Sequence, residues 1–223
     1  MFQKLFAPTL LLFLLPIFAF AETADSTHFN GTVTYTVEMK GPKADYLLLN
    51  KPPDKMQMHV FNGDYIINLT GGEIPKTFMY INKHDREFSV DPMNKVAFKF
   101  NPHEDLNRET HKKEPVAVKL KGKTGVVLGD TCDVYAIKKG ESFLYFFVND
   151  KYRVDTTLYK GKVQAKPNFL VKGLGGRIPL KIVRKQEGLM VTTTCTGIKR
   201  RDFDKSQFRI PKDFTIRNRD YRP

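Results

Sequence analysis

Cysteine is nearly absent from this chain: Cys132 and Cys195 are the only two in 223 residues. Two lone thiols with no histidine beside them argue against a metal site, which needs three or four converging ligands. No His-Glu-x-x-His run, no Gly-x-Ser-x-Gly elbow and no paired acidic motif occurs. The histidines His28, His59, His84, His103 and His111 are scattered, and His84-Asp85 falls where a hairpin turn is expected. The reading is therefore of a protein that is not an enzyme and carries no cofactor and no metal. A hydrolase whose site is assembled in space rather than in sequence stands as a third hypothesis.

Other absences bear on the fold. Tryptophan is missing altogether, and there is no long stretch of helical period, no repeat of fixed length and no low-complexity linker. That removes helix bundles, solenoids and multidomain arrays from the candidates. Beyond the first 21 residues no apolar run reaches the roughly 20 residues needed to span a bilayer.

Those first residues read as a signal peptide. Lys4 supplies a short positive region, Leu5 to Phe20 is apolar apart from Pro8, Thr9 and Pro16, and Ala19-Phe20-Ala21 fits the small-x-small rule. Cleavage after Ala21 predicts a periplasmic or secreted protein whose residues 22–223 form one domain. No cysteine lies near the cut, so an acylated form is not expected. In an oxidising compartment Cys132 and Cys195 are expected to pair, worth roughly 4 kcal/mol for a loop of that length, two separate buried thiols being the alternative.

What is abundant is alternation and positive charge. Thr32 to Met39 places an apolar residue at every second position, as a half-buried antiparallel strand does. The same period recurs at 56–60, 65–70, 77–82, 87–90, 96–100, 124–128, 132–137, 179–184 and 189–196, with turn residues such as Asn62-Gly63-Asp64 and Asp91-Pro92-Met93-Asn94 between. The near-continuous Phe143–Val148, FLYFFV, predicts a central strand buried on both faces. Residues 101–115 read as a charged exposed loop, and 149–168 as the best place for a helix.

Thirty-seven lysines and arginines against 24 acids give a formal charge of +13. For an exported chain the expected partners are an anionic membrane surface or an envelope polymer, and not nucleic acid. From Lys199 onward nine basic side chains are punctuated by Phe203, Phe208, Ile210, Phe214 and Ile216, which predicts a tail tied against the sheet with its charges outward. Asn30-Gly31-Thr32 and Asn68-Leu69-Thr70 match the glycosylation pattern. The run VKGLGGRIPLKIV at 171–183 lacks the last glycine of a dinucleotide loop and is followed by a strand pattern rather than a helix. It reads as a bend, with positive φ at Gly175 or Gly176, leading into a strand that Pro179 places near an edge or at its start.

The order FNGTVTYTVEM, NGDYIINL, VDPMNKVAFKF, GVVLGDTCDVYAIK, FLYFFVND, GRIPLKIV and DFDKSQFRIPKDFTI resembles the DUF4412 family of exported bacterial proteins, placed with the LolA/LolB-like group. The resemblance covers nearly all of the mature chain. It implies an all-β, incomplete antiparallel β-barrel or strongly curved sheet with small helical inserts. It also implies a concavity able to hold an acyl chain, a lipid or a lipidated partner. The missing lipobox cysteine and the meagre lid material depart from the LolB-like pattern. On this view the half-barrel binds a hydrophobic ligand and is lined by Tyr35, Val37, Met56, Met58, Tyr65, Ile67, Phe78, Tyr80 and Phe98. The rival expectation is a non-enzymatic scaffold of the cell envelope whose basic surface meets anionic polymers, membrane or a partner protein.

Overall fold

A computed structural model of the chain describes residues 28–44, 52–73, 75–100, 115–159 and 167–218. The signal peptide with its cleavage site and nearly all of the charged loop at 101–115 lie outside these residues.

Among the described residues twelve strands form one sheet in the order β12-β6-β5-β4-β3-β2-β1-β11-β10-β9-β8-β7. They are β1 (Gly31–Lys40), β2 (Lys55–Phe61), β3 (Asp64–Thr70), β4 (Lys76–Ile81), β5 (Arg86–Asp91), β6 (Val96–Phe100), β7 (Val118–Val127), β8 (Asp130–Lys139), β9 (Ser142–Arg153), β10 (Arg177–Gln186), β11 (Leu189–Arg200) and β12 (Thr215–Asn218). All neighbours pair antiparallel except β12, which runs parallel to β6. Local turn chemistry sets much of this register. Asn62 and Gly63, at φ 48° and 87°, close the β2–β3 hairpin with Phe61 opposite Asp64, the doubly positive pair that a two-residue turn of matching twist requires.

The expectation of an incomplete barrel or strongly curved sheet is corrected here. The strands follow one open order, and its ends, β7 and β12, do not pair. The reason lies in the two faces of β2–β6, each of which carries its own covering layer. On one face Tyr65, Ile67, Met58 and Tyr80 pack under Tyr159, Phe169 and Leu170. On the other, Ile66, Met79, Phe88 and Val90 pack under Phe203, Phe208, Ile210 and Phe214. A sheet buried on both sides has no single side to curl around.

Two smaller expectations also change. Phe146 and Val148 are buried, but Phe143, Tyr145 and Phe147 are only half-buried, so β9 is not covered on both faces. The helix expected at 149–168 is replaced, among the described residues, by the continuation of β9 to Arg153 and by 3-10 turns at Thr156–Leu158 and Asn168–Leu170. The glycine bend behaves as its composition suggests: Gly173, Gly175 and Gly176 all have positive φ. Arg177 clamps it, donating from Nε to Asp150 Oδ1 at 2.7 Å and from Nη1 to the Leu174 carbonyl at 2.8 Å. Pro179 sits in an interior strand, at a register shift in the β9–β10 pairing where a missing N–H is tolerated. Its carbonyl accepts the Tyr35 hydroxyl at 3.0 Å.

The C-terminal tail is tied down as expected. Phe203 and Phe208 are buried, Arg201, Lys205, Arg209 and Arg217 are exposed, and Lys95 bridges Asp213 at 2.9 Å beside the β6–β12 pairing.

Candidate functional site

Registers across β8, β9, β10 and β11 build a surface that no single strand reveals. Lys138, Phe143, Lys185 and Met190 form one row across these strands. Ala136, Tyr145, Val183 and Thr192 form the next, with Val118 of β7 beside Ala136. Val134, Phe147, Lys181 and Thr194 form the third. Because residues two apart in a strand share a face, all three rows point the same way.

Each ring carries an ammonium. Lys138 Nζ lies 5.5 Å from the Phe143 centroid, Lys181 Nζ 5.7 Å from Phe147, and Lys185 Nζ 5.9 Å from Tyr145. At such distances the ring quadrupole attracts the cation, which holds the lysines flat over the aromatics rather than waving in solvent. Phe143 and Tyr145 lie nearly parallel, 6.1 Å apart with 8° between planes. Three acids flank these rows: Glu38 on β1, 3.5 Å from Lys40, Glu141 two residues before Phe143, and Glu187 two residues after Lys185 and 3.8 Å from Lys43. At the adjoining edge Val118, beside Ala136 and on the face of the rows, is 62% exposed, whereas Lys119, opposite Tyr135, and Val126, opposite Thr131, turn to the other face. Lys119 is held in its charged form above the usual lysine range by its hydrogen bond to Asp133, at 2.6 Å. The arrangement is a half-exposed apolar patch studded with cations, the form in which a surface meets an anionic, partly apolar partner.

The nine side chains that sequence reasoning assigned to a ligand cavity are placed on one face by the strand registers. Met58, Ile67 and Phe78 stand opposite one another across β2, β3 and β4, with Phe98 on the same row beyond Ser89. Tyr65 opposes Tyr80, and Tyr35 opposes Met56. Tyr35, Met58, Tyr65, Ile67 and Tyr80 are buried in the core, Met56 and Phe78 pack at its margin, and Val37 and Phe98 are half-buried. This face is occupied by protein: Tyr159 and Phe169 lie 6.2 and 6.4 Å from Tyr65, ring to ring. The expected ligand-holding concavity of a half-barrel is thereby corrected, because the sheet is open and its apolar face is filled. Burial, followed by the neighbouring Glu87 carboxylate, holds the Tyr65 phenol well above its ordinary range.

Cys132 and Cys195 are both free and buried, which corrects the expected disulfide. They belong to one apolar cluster, but β9 and β10 stand between their strands in the sheet and no bond joins them. Burial pushes the Cys195 thiol up to about 11 and raises Cys132 as well. Thiolate is the reactive form. Iodoacetamide at neutral pH is therefore expected to leave the native protein unlabelled and to alkylate both thiols after denaturation; a mass matching one internal disulfide would refute this arrangement.

Sequence reasoning missed the lysine-aromatic rows by treating Phe143–Val148 as uniformly buried. The available signal was period-2: half-buried Tyr145 and Phe147 flank the buried Phe146, as half-buried Lys181 and Val183 flank the buried Ile182 on the partner strand.

No family model and no curated protein matches the sequence, so the DUF4412 resemblance gains no matching model. Among solved structures the chain is similar to an uncharacterized conserved protein from Thermus thermophilus, at 9% identity and a TM-score of 0.49, over 85% of this chain and 91% of that one. It is similar to PNGF-II at 15% identity and a TM-score of 0.47, over 86% of this chain but 31% of that one, so that the match spans under a third of PNGF-II. It is also similar to a LolA superfamily protein from Nitrosomonas europaea at 11% identity and a TM-score of 0.34, over 82% of this chain and 90% of that one.

Proposed function

We propose that this chain is an exported, non-enzymatic envelope protein that docks on an anionic membrane surface through the open face of β7–β10. The observation that carries the reading is the set of three lysines, Lys138, Lys181 and Lys185, each laid over an aromatic ring of β9. Cations close to a lipid surface contribute about 1 kcal/mol each, and aromatic rings suit the headgroup boundary because they are apolar yet polarisable. The apolar residues between the lysines, Val118, Tyr145 and Val183, add area without adding charge. The signal-like first 21 residues support an extracytoplasmic setting in which such a surface has a membrane to meet.

The test is co-sedimentation of the purified protein with vesicles of phosphatidylcholine alone or mixed with phosphatidylglycerol. Binding is expected only to the anionic vesicles and is expected to fall as salt rises. Changing Lys138, Lys181 and Lys185 together to glutamine removes about 3 kcal/mol, or roughly a hundredfold in affinity. Removing the same charge from Lys199, Lys205 and Lys212 is expected to change binding by less than about threefold, since long-range charge alone is screened. Equal losses in both variants would show that overall charge, not this face, does the binding. Retention on an acidic polysaccharide without vesicle binding would assign the face to an envelope polymer instead.

A further inference from the structure

A cavity of about 400 Å³ lies between β2–β5 and the returning C-terminal segment, on the face of the sheet away from Tyr65 and Tyr80. It is open to solvent on the side of Arg201 and Arg209, and small-molecule clefts run from roughly 300 to 1,000 Å³, so it has the size of a binding cleft. Its floor is Ile66, Met79 and Val90, and its far wall is Phe203, Phe208 and Phe214.

The neutral polar side chains Asn68, Thr77 and Gln207 line it, and its charged groups are of one sign: Arg201 and Arg209 both line it and are both exposed, and among the described residues no acidic side chain does. Arg201 lies over the Phe203 ring at 4.2 Å, which fixes the guanidinium above the apolar wall, and reaches Gln207 Oε1 at 3.4 Å. Two acids lie between the arginines in sequence, both exposed: Asp202, and Asp204, which accepts the Ser206 N–H at 2.9 Å and whose carboxyl is held below the usual range by that bond and then by Arg209. His59 stands 2.9 Å from Thr32 Oγ1 and edge-on to Phe203. Burial and then Arg201 lower its pKa, so that at neutral pH it serves as a hydrogen-bonding group and not a charge. An apolar box with two guanidiniums at its mouth matches a molecule with an apolar body and one anionic end, since arginine pairs with carboxylate and phosphate in fork geometry.

We infer that this cavity binds an amphipathic organic anion, with its apolar body against Met79 and Phe208 and its carboxylate or phosphate at Arg201 and Arg209. The site, on β2–β5 and the C-terminal segment, is separate from the lysine-aromatic rows of β8–β11 and does not depend on them.

Titration calorimetry of the full chain with decanoate and with decanol tests the inference. Decanoate is expected to bind saturably at one site, and decanol about tenfold more weakly or worse. The exposed pair Arg201→Gln and Arg209→Gln is expected to weaken decanoate by about tenfold or more and to leave decanol unchanged. Val90→Phe, which intrudes on the floor, is expected to weaken both ligands with the melting transition retained. Lys138→Gln, Lys181→Gln and Lys185→Gln together leave decanoate binding intact, which separates this site from the membrane-docking reading. Absence of saturable decanoate binding, or binding that the arginine pair does not alter, would overturn the inference. So would an equal loss for decanol in the arginine variant.

Discussion

Replacing Phe169 by alanine is expected to lower the unfolding free energy by about 3–5 kcal/mol and the melting temperature by roughly 6–20 °C. Phe169 is fully buried. Its ring meets Tyr65 edge-on at 6.4 Å and Tyr159 at 5.4 Å, over the stacked Tyr65–Tyr80 pair. Truncation removes a whole aromatic side chain and leaves a void beside phenols that the fold keeps from water. The surrounding strands are locked in register on both sides, so they can collapse only partly into the gap. Urea denaturation measures the loss, and Phe169→Leu, which keeps most of the volume, should cost under about 1.5 kcal/mol. A loss below about 1 kcal/mol for alanine would mean that the 3-10 turn at Asn168–Leu170 does not close the core.

The second large effect is predicted for a residue with no side chain. Gly173 has φ +96°, and a Cβ there would lie 2.2 Å from the Ala117 carbonyl oxygen. That oxygen belongs to backbone, and the Ala117 N–H already donates to the Lys172 carbonyl at 2.8 Å, so neither partner can step aside cheaply. Gly173→Ala combines dihedral strain with overpacking, together about 2–5 kcal/mol. Because Ala117 leads directly into β7, the damage should be local. Hydrogen exchange is expected to quicken at Val118 to Leu120 before it does at β1 or β2. Gly129→Ala is the control, since Gly129 has φ +81° but nothing within 4 Å of the added carbon. It should show the dihedral cost alone, about 1–2 kcal/mol. Equal losses in the two variants would remove the contact from the account.

Most of the strands were legible because half-burial writes period-2 into the residues themselves. β1–β6 and β8–β11 all fall on stretches whose alternation or apolar run announces them. β12 was not legible: its four side chains are all exposed, and what holds it is parallel backbone pairing with β6, which imposes no pattern. The first half of β7 hid behind lysines at alternate positions, which look like solvated loop until a partner strand is known. Alternation also told which residues share a face, and Met58, Ile67 and Phe78 do stand in one row. It carries no information on whether a sheet rolls up. That depends on which distant segments cover each face, here Tyr159 and Phe169 on one side and Phe203 and Phe208 on the other. The lysine-aromatic surface was illegible for a related reason, because it exists only across strands whose order the sequence does not state. The cysteines show the same limit: alternation placed both in strands, while the strand order separated them.

The position of β1 has a consequence for how the molecule comes to be made. It pairs with β2, its neighbour in the chain, but its other edge is completed by β11, and Thr196 and Thr34, which meet there, are 162 residues apart in sequence. A chain emerging N-terminus first can assemble β1–β6 as a hairpin meander from local contacts alone. The outer edge of β1 then stays unpaired until nearly the whole chain has appeared, a long loop closure that makes the final step slow. An unpaired edge invites pairing with other chains. Thr32, Thr34 and Thr36, in a strand with no proline, do little to discourage it. The interval between release of β6 and arrival of β11 is thus when the protein is most vulnerable to aggregation, and when a chaperone that caps strand edges would have the most to protect.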